Sequence, residues 1–420
     1  MKKTLLFSLM TTLLLANGYK IPEQSINGIA LSSANIANAH EADAAYYNPA
    51  NIGFFPNKNY FEINALFIHL NKVKFKNNNG EVYYSRREDF ALPQFHFASK
   101  EINGFRFGFC IVYPDGLSKR WYDVVPEAGA KEFTLKTIEF NPTIIKRINN
   151  NFSVAFGLRF VKSEGIANVL GLKQNSDNTV TPLYSQYLNG TSFDRGWNAA
   201  LAYQNDKKDI KIATTFRSSI NLSLSGNGSG YYSKYLLTQN PSDINKYIYF
   251  NTPGKVTVPI PAQFDFAIAK KFNKTTVEAV FERTFWSKYK KLDFNFKDPY
   301  VNAIFGQPIP KNWKDSNTYR LGVTHQYSNK LTLMAGYAYD ETPVPDSTID
   351  FTLPDSDKQI ISGGFKYKID DRLSFGMAAL YAKPHSRSAK VYDPVTKSYN
   401  IGKFSEGGAF LFGIGLSYSY

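Results

Sequence analysis

The last fifteen residues, EGGAFLFGIGLSYSY, constrain the fold most strongly, because apolar side chains recur there at every second position. In an extended strand, alternate side chains point to opposite faces. One face of this stretch is apolar and the other is small and weakly polar: Phe412, Ile414, Leu416, Tyr418 and Tyr420 against Gly413, Gly415, Ser417 and Ser419. A transmembrane β-barrel uses such strands, because its outer face meets lipid and its last strand must pair with its first. The alternative is an amphipathic edge strand of a soluble β protein.

The composition favours alternating strands over membrane helices. Aromatic residues make up 16 % of the 420 residues, yet the mean hydropathy is only −0.33. After the N-terminus, no apolar run approaches the ~20 residues that a spanning helix needs. The net charge of +14, or +12 without Lys2 and Lys3, is compatible with nucleic acid or with anionic lipids and ligands as partners. The single cysteine, Cys110, excludes an intrachain disulfide and a CxxC metal site.

The N-terminus divides into two segments that precede the strands. Residues 1–18, MKKTLLFSLMTTLLLANG, combine two lysines, a short apolar core and small residues, which predicts a secretory signal peptide cleaved near residues 16 to 18. A membrane anchor is the weaker alternative. Residues 19–56 are rich in Ala, Asn and Ser, and this composition favours a packed plug over a flexible linker. The rest of the chain, residues 57–420, is predicted to form the barrel.

From residue 59 onward, segments of about ten residues alternate in the way that barrel strands do. We predict fourteen strands: 59–71, 90–99, 104–114, 133–147, 152–164, 194–205, 209–222, 262–272, 275–296, 316–327, 331–340, 359–368, 373–383 and 406–420. Short polar turns alternate with long loops near 72–89, 115–132, 165–193, 223–261, 297–315, 341–358 and 384–405. This pattern is typical of periplasmic turns and extracellular loops, and it places both termini on the periplasmic side.

Several stretches resemble the FadL family of outer-membrane long-chain fatty-acid transporters, which includes hydrocarbon-uptake relatives. They are the leader GYKIPEQSINGIALSSAN with YYNPANIGF, the segment VPIPAQFDFAIAKKFNKTTVEAVFERTFWSKYKKLDFNF, and NWKDSNTYRLGV, AGYAYDETPVPDS and LPDSDKQI further on. The resemblance spans nearly the whole mature chain, but the loops 165–193 and 223–255 match only loosely. It implies an all-β membrane protein: a fourteen-stranded antiparallel barrel with an N-terminal hatch in its lumen. It also implies a kink in the third strand that opens a lateral gap for apolar ligands.

Two motifs are candidates for the hatch and the kink. Asn48, Pro49 and Ala50 match the hatch motif of that family, which lies against the strand kink; an Asx-type turn that ends a helix is the alternative. Pro114, Asp115 and Gly116 interrupt the third strand, because proline removes a hydrogen-bond donor and glycine weakens pairing. The strand could equally end at this point.

Other residues are candidates for ligand capture. The long loops at 165–194 and 221–261 have unusual apolar content, which indicates either a capture surface or self-packing over the barrel mouth. The candidates there are Leu170, Leu172, Tyr184, Tyr187, Leu188, Tyr231, Tyr232, Tyr235, Leu236 and Leu237. Lys314 is the first candidate for a ligand carboxylate, on the family motif, followed by Arg159 and Lys162. A solvated charge is the alternative reading of each.

The expected function is passive uptake of long-chain fatty acids or similar hydrophobic molecules across the bacterial outer membrane, with no cofactor, metal or energy source. The five histidines lack HExxH spacing, and the sequence has no GxSxG elbow or P-loop, so no enzyme is predicted. A general porin, or less plausibly an outer-membrane lipase, is the alternative. The expected partners are the hydrophobic ligand, outer-membrane lipid or lipopolysaccharide, and the barrel-assembly machinery through the strand that ends at Tyr420. We expect a monomer that binds no nucleic acid.

Overall fold

A computed structural model of the chain describes residues 18–123, 126, 130–174, 179–393 and 398–420. It contains a closed antiparallel barrel of fourteen strands, three of which are interrupted. The strands are β1 Tyr60–Leu70, β2 Glu88–Ala98, β3 Arg106–Val112 with Gly116–Arg120, β4 Glu132–Arg147, β5 Phe152–Gln174, β6 Val180–Asn205, β7 Ile210–Arg217 with Ile220–Ser233, β8 Tyr247–Ile260 with Gln263–Phe272, β9 Thr275–Thr284, β10 Ser316–Gln326, β11 Leu331–Asp340, β12 Lys358–Lys368, β13 Leu373–Pro384 and β14 Ala409–Ser419. The predicted fold class is confirmed.

The last strand closes the barrel against the first. β14 pairs with β1 from Tyr60↔Ser419 to Leu70↔Ala409, and with β13 on its other side. Its Ile414, Leu416 and Tyr418 are exposed on the outer face. No helix in the described part of the chain is long and apolar enough to cross a membrane.

Residues 18–56, which we call the N-terminal segment, lie inside the barrel. The segment contains two short helices, α1 Ile26–Ala30 and α2 Ala44–Tyr47, and a 3₁₀ helix Pro49–Phe54. Most of its residues are buried, and it contacts strands on every side of the ring. Glycines on the inner face permit this approach: a Cβ on Gly336 would lie 2.2 Å from the carbonyl carbon of Leu31, and one on Gly413 would lie 2.4 Å from Ile29. The predicted signal peptide lies outside the described residues except for Gly18.

Three predicted loops are in fact hairpins. β5 and β6 remain paired up to Gln174↔Val180, so the predicted loop 165–193 is largely strand. The predicted loop 223–261 is the hairpin formed by β7 and β8, which pairs also with the upper part of β6. Residues 387–393 and 398–406 form a third hairpin, which joins the strands Val73–Asn77 and Val82–Tyr84 in a small separate sheet. These segments are also rich in apolar and β-branched residues, and their strands remain paired beyond the part that spans the membrane.

The predicted strand 275–296 is too long. β9 ends at Thr284, and Trp286–Lys288 forms a 3₁₀ helix; Trp286 and the residue that follows the helix, Tyr289, are both buried. The following residues form the short strand Phe294–Phe296, which pairs with β8, and the helix α3, Pro299–Phe305. Two aromatic residues spaced three apart fit a single 3₁₀ turn, and the alternation of the strand ends there.

Candidate functional site

The third strand is interrupted, and the interruption leaves a window in the barrel wall. β3 stops at Val112 and resumes at Gly116, so the predicted break at Pro114, Asp115 and Gly116 lies within the strand and not at its end. β2 and β3 pair only from Phe95↔Ile111 to Ala98↔Gly108. No described residue of β3 pairs with the rest of β2, Glu88–Gln94. Above the window, the Arg86 N–H donates to the Arg120 carbonyl at 2.9 Å and closes the gap again.

The start of the N-terminal segment binds to the broken edge of β3. The Ile21 N–H donates to the Pro114 carbonyl and the Gly116 N–H donates to the Tyr19 carbonyl, both at 2.7 Å. The Gln24 side chain accepts from the Tyr113 N–H at 2.7 Å and donates to the Tyr113 carbonyl at 3.0 Å. Residues 19–24 therefore supply the hydrogen bonds that β2 does not supply to β3.

A cavity of about 380 Å³ lies beside the window, between the N-terminal segment and the wall. Its apolar lining comes from the inner face of several strands and from a loop: Ile68, Leu70, Phe90, Leu92, Leu117, Leu135, Leu353, Ile360, Leu380 and Leu411. Lys136, Ile138 and Lys162 also line it. These three residues alternate with the buried Leu135, Thr137, Val161 and Ser163, so they belong to the outer face of β4 and β5. Residues of both faces line one cavity, and the cavity is thus open through the wall.

A smaller cavity of about 50 Å³ adjoins the first and shares Tyr19, Leu117, Leu135 and Leu353 with it. Its wall includes an aromatic cluster in which Tyr19 packs on Trp286 at 4.8 Å and Trp286 packs on Trp313 at 4.8 Å between ring centroids. The Tyr19 hydroxyl donates to the Pro259 carbonyl. Tyr19 therefore belongs to the boundary that the two cavities share.

The predicted apolar capture residues lie on the extended hairpins and on the short helix that connects β7 and β8. Leu188 lines the smaller cavity, and Tyr184 packs edge-on against Phe305 at 5.4 Å. Tyr232 is buried, Leu170, Leu172, Tyr231, Tyr235 and Leu236 are half-buried, and Tyr187 and Leu237 are exposed. Self-packing and an exposed apolar surface are thus both present over the barrel mouth.

Two of the three predicted carboxylate ligands are not available to a ligand in either cavity. Arg159 is buried and donates to Glu139 at 2.9 Å, so its charge is already paired. Lys314 is exposed and lines neither cavity, although its backbone N–H donates to the Pro343 carbonyl at 2.9 Å. The predictions for Arg159 and Lys314 do not agree with this geometry. Lys162 does line the larger cavity, but at its outer mouth.

Other lysines that line the cavities were not predicted from the sequence. Lys20, Lys119 and Lys358 line the larger cavity, and Lys311 lines the smaller one, three residues before the predicted Lys314. Lys311 could have been predicted, because it lies close to the motif that contains Lys314. No motif or pattern in the sequence distinguishes Lys119 from the other lysines. Glu23 also lines the larger cavity, and burial raises the pKa of its carboxyl group although Arg320 and Lys358 oppose the shift.

Asn48, Pro49 and Ala50 lie against strands β6 and β7 of the barrel wall. Asn48 is fully buried, and its side-chain amide donates to the carbonyls of Leu201 and Thr214, which are paired residues of β6 and β7. Its carbonyl oxygen accepts from the Ala50 N–H at 3.0 Å, and Pro49 begins the 3₁₀ helix. The described hydrogen bonds of the Asn48 side chain thus go to β6, β7 and Ala50, whereas those to the break in the third strand come from residues 19–24.

Buried carboxylates of the wall fix the N-terminal segment in the lumen. Glu278 of β9 accepts the backbone N–H groups of Ile36, Ala37 and Asn38 at 2.7, 2.7 and 3.1 Å. Glu282, on the same strand, binds Lys20 and accepts from Arg320 at 2.8 Å. These bonds anchor both the body of the segment and the short stretch that reaches the window.

Comparison with known proteins gives consistent results. Residues 7–420 match the family described as "Outer membrane protein transport protein (OMPP1/FadL/TodX)". A long-chain fatty acid transport protein of Salmonella typhi is 26 % identical over 96 % of this chain and 94 % of its own length, and that of Escherichia coli K12 is 24 % identical over 98 % and 96 %. Among solved structures, a Pseudomonas aeruginosa FadL homologue has a TM-score of 0.83 at 16 % identity and covers 96 % of this chain and 99 % of its own. The P. putida toluene transporter TodX has a TM-score of 0.69 at 15 % identity, with 93 % and 98 % covered.

Proposed function

Because this chain belongs to the outer membrane protein transport family (OMPP1/FadL/TodX), we propose that it carries long-chain fatty acids or similar hydrophobic molecules passively through the outer membrane. Membership places the barrel in the bacterial outer membrane. The names of its relatives refer to long-chain fatty acids and to toluene, so both acyl chains and aromatic hydrocarbons are candidate cargoes.

The observation that carries the proposal is the connection between the larger cavity and the window in the wall. The volume of about 380 Å³ falls within the ~300–1,000 Å³ of typical small-molecule sites, and most of the lining is apolar. The N-terminal segment fills the lumen below it, which opposes a straight aqueous channel. A hydrophobic molecule in this cavity has an apolar route sideways, through the window, to the lipid.

The route has three steps. The apolar hairpins over the barrel mouth capture the molecule, the two cavities hold it, and the window releases it into the membrane. Burial of each methylene contributes about 0.8 kcal/mol in the cavity and in the bilayer alike, so lateral transfer loses little of this energy. The gradient is maintained by partition into the membrane and later consumption in the cell, and neither cofactor nor energy source is needed.

The remaining parts of the proposal concern maturation and assembly. We infer a signal peptide over residues 1–18, a hatch over 19–56 that includes Asn48, Pro49 and Ala50, and a barrel over 57–420. The strand that ends at Tyr420 would be read by the barrel-assembly machinery. The protein would work as a monomer surrounded by lipid and lipopolysaccharide.

The test is to obstruct the window from outside. Ile138 lies at the outer mouth of the cavity, and Ile144 lies on the same face of the same strand, six residues further along. Uptake of a radiolabelled long-chain fatty acid would be measured in cells whose only transporter of this type is the wild type, Ile138→Trp or Ile144→Trp. We expect slower uptake for Ile138→Trp alone, with ligand still retained by the purified protein. Equal uptake by all three, or a steady open conductance of the wild type in planar bilayers, would contradict lateral release.

A further inference from the structure

Lys119 is a buried lysine on the upper part of β3, and it lines the larger cavity. It is only 8 % exposed. Within the described residues, its ammonium group has no hydrogen bond or ion pair. Lys20 binds Glu282 and Lys358 binds Asp340 at 3.0 Å, while Lys136 and Lys162 are exposed on the outer face. Lys119 is therefore the cavity lysine that is both buried and unpaired.

The nearest acidic group does not neutralise it. Glu88 influences Lys119 electrostatically, but its carboxylate is bound to Arg120 at 3.3 Å. The cavity that Lys119 lines is also lined by the apolar side chains of Leu117, Phe90 and Leu92. Burial of an ionised amine without a partner is costly, and an ionisable group in such a cavity is a candidate for binding a ligand of opposite charge.

We propose that Lys119 binds the anionic head of an amphiphilic ligand whose hydrocarbon tail fills the apolar part of the cavity. This inference rests on the proposed transport function and specifies its cargo: carboxylic acids with long chains are preferred over neutral hydrocarbons or alcohols of the same length. A salt bridge between the ammonium and a carboxylate satisfies both charges at one site.

The position of Lys119 also suits lateral release. Lys119 precedes Arg120, whose carbonyl closes the upper edge of the window, whereas the break at Pro114 lies lower on the same strand. On the outer face, Lys136 and Lys162 lie beside the window, and such charged side chains suit the membrane interface better than the hydrocarbon core. A head held at Lys119 remains near the interface while the tail moves sideways into the hydrocarbon. No charge has to cross the membrane core.

The experiment compares two ligands of equal chain length, hexadecanoic acid and hexadecanol, on purified protein in detergent. Partition of each ligand into micelles is the same for every variant. It therefore cancels when the ratios of the two dissociation constants are compared between variants. The wild type should prefer the acid by about 10- to 100-fold beyond a protein-free micelle reference, the range expected for a charge-assisted bond. Lys119→Gln should lose this preference and keep its affinity for the alcohol, and Lys119→Arg should retain the preference.

Lys162→Gln is the matched control, since it removes a lysine at the outer mouth of the same cavity and should leave the preference unchanged. Heat-modifiable migration on a denaturing gel checks that each barrel is folded. An unchanged preference in folded Lys119→Gln, or no preference in the wild type, overturns the role of Lys119 while binding of both ligands still supports transport. Failure of the folded wild type to bind either ligand overturns both proposals.

Discussion

A cross-link between residues 20 and 115 should lock the window and stop transport. Lys20 and Asp115 are opposite each other in an isolated antiparallel bridge. The two flanking hydrogen bonds come from neighbouring residues, which makes this a non-hydrogen-bonded pair with a Cα separation of about 4.5 Å, within the range of disulfides. We expect Lys20→Cys with Asp115→Cys to form a disulfide in a Cys110→Ala background, in which no other cysteine remains.

The magnitude follows from the bonds that hold residues 19–24 against β3. Two backbone bonds and two bonds of the Gln24 side chain, each of about 0.5–1.5 kcal/mol, give a cost of about 2–6 kcal/mol for release of this stretch. The released state is then populated at roughly 1 in 30 to 1 in 25,000. The disulfide removes this population.

The assay is uptake of a labelled fatty acid into cells or liposomes that contain the oxidised protein, before and after dithiothreitol. We expect at least a tenfold increase on reduction. The reduced form carries the same two substitutions, so it controls for the lost contact between Lys20 and Glu282. Equal rates in the two forms would show that ligands pass the window without movement of the N-terminal segment, and would refute the gating role assigned to these bonds.

Three further predictions concern stability, measured by urea unfolding in detergent. Glu139→Gln leaves Arg159 and Arg217 buried without a counter-charge and should cost about 3–5 kcal/mol, whereas Glu132→Gln, in a partly exposed pair, should cost under about 1; equal costs would contradict the reasoning. Asn48→Ala removes the amide bonds to two wall carbonyls and should cost about 1–3 kcal/mol, with faster proteolysis of the N-terminal segment; unchanged proteolysis would contradict its anchoring role. Burial raises the pKa of Asp355 in the loop before β12 from 3.8 to about 7, so the folded protein holds a proton that the unfolded chain releases, and stability should fall as pH rises from about 4 to 7. Asp355→Asn should flatten this part of the profile, and an unaltered slope would exclude Asp355 as its source.

The barrel could be predicted from the sequence because its strands share one short repeat, in which apolar residues alternate with small or polar ones. A strand with lipid on one side and small or polar residues on the other alternates throughout its length, as β14 does up to Tyr418. The extended hairpins of β5 with β6 and of β7 with β8 were missed, since outside the membrane the alternation is no longer enforced by lipid. The aromatic residues of those hairpins pack against one another, as Tyr231 does on Tyr247 at 5.2 Å, and this packing depends on register.

The site was harder to predict than the fold. Pro114 and Gly116 signal a break through their own backbone chemistry, and the break lies where the sequence places it. The ion-pair partner of a charged residue cannot be predicted from the residues next to it in the sequence. Arg159 meets Glu139 across two strands, and Lys119 remains unpaired because Glu88 binds Arg120 instead. Such assignments require the register of the closed barrel, in which the side chains of distant segments meet.

The window and the N-terminal segment depend on each other, because the segment makes hydrogen bonds to the strands that border the window. In lipid, an unpaired strand edge is costly because no water satisfies its backbone groups. Here the segment supplies the missing bonds to β3, and Gln24 also accepts from Gln94 of β2 at 3.2 Å while its carbonyl bonds to His96 at 2.8 Å. The same few residues therefore bond to both strands that border the window and line the cavity beside it. If ligands leave by the proposed lateral route, these bonds must break and re-form with each passage, because no described residue of β2 supplies an alternative partner for this part of β3.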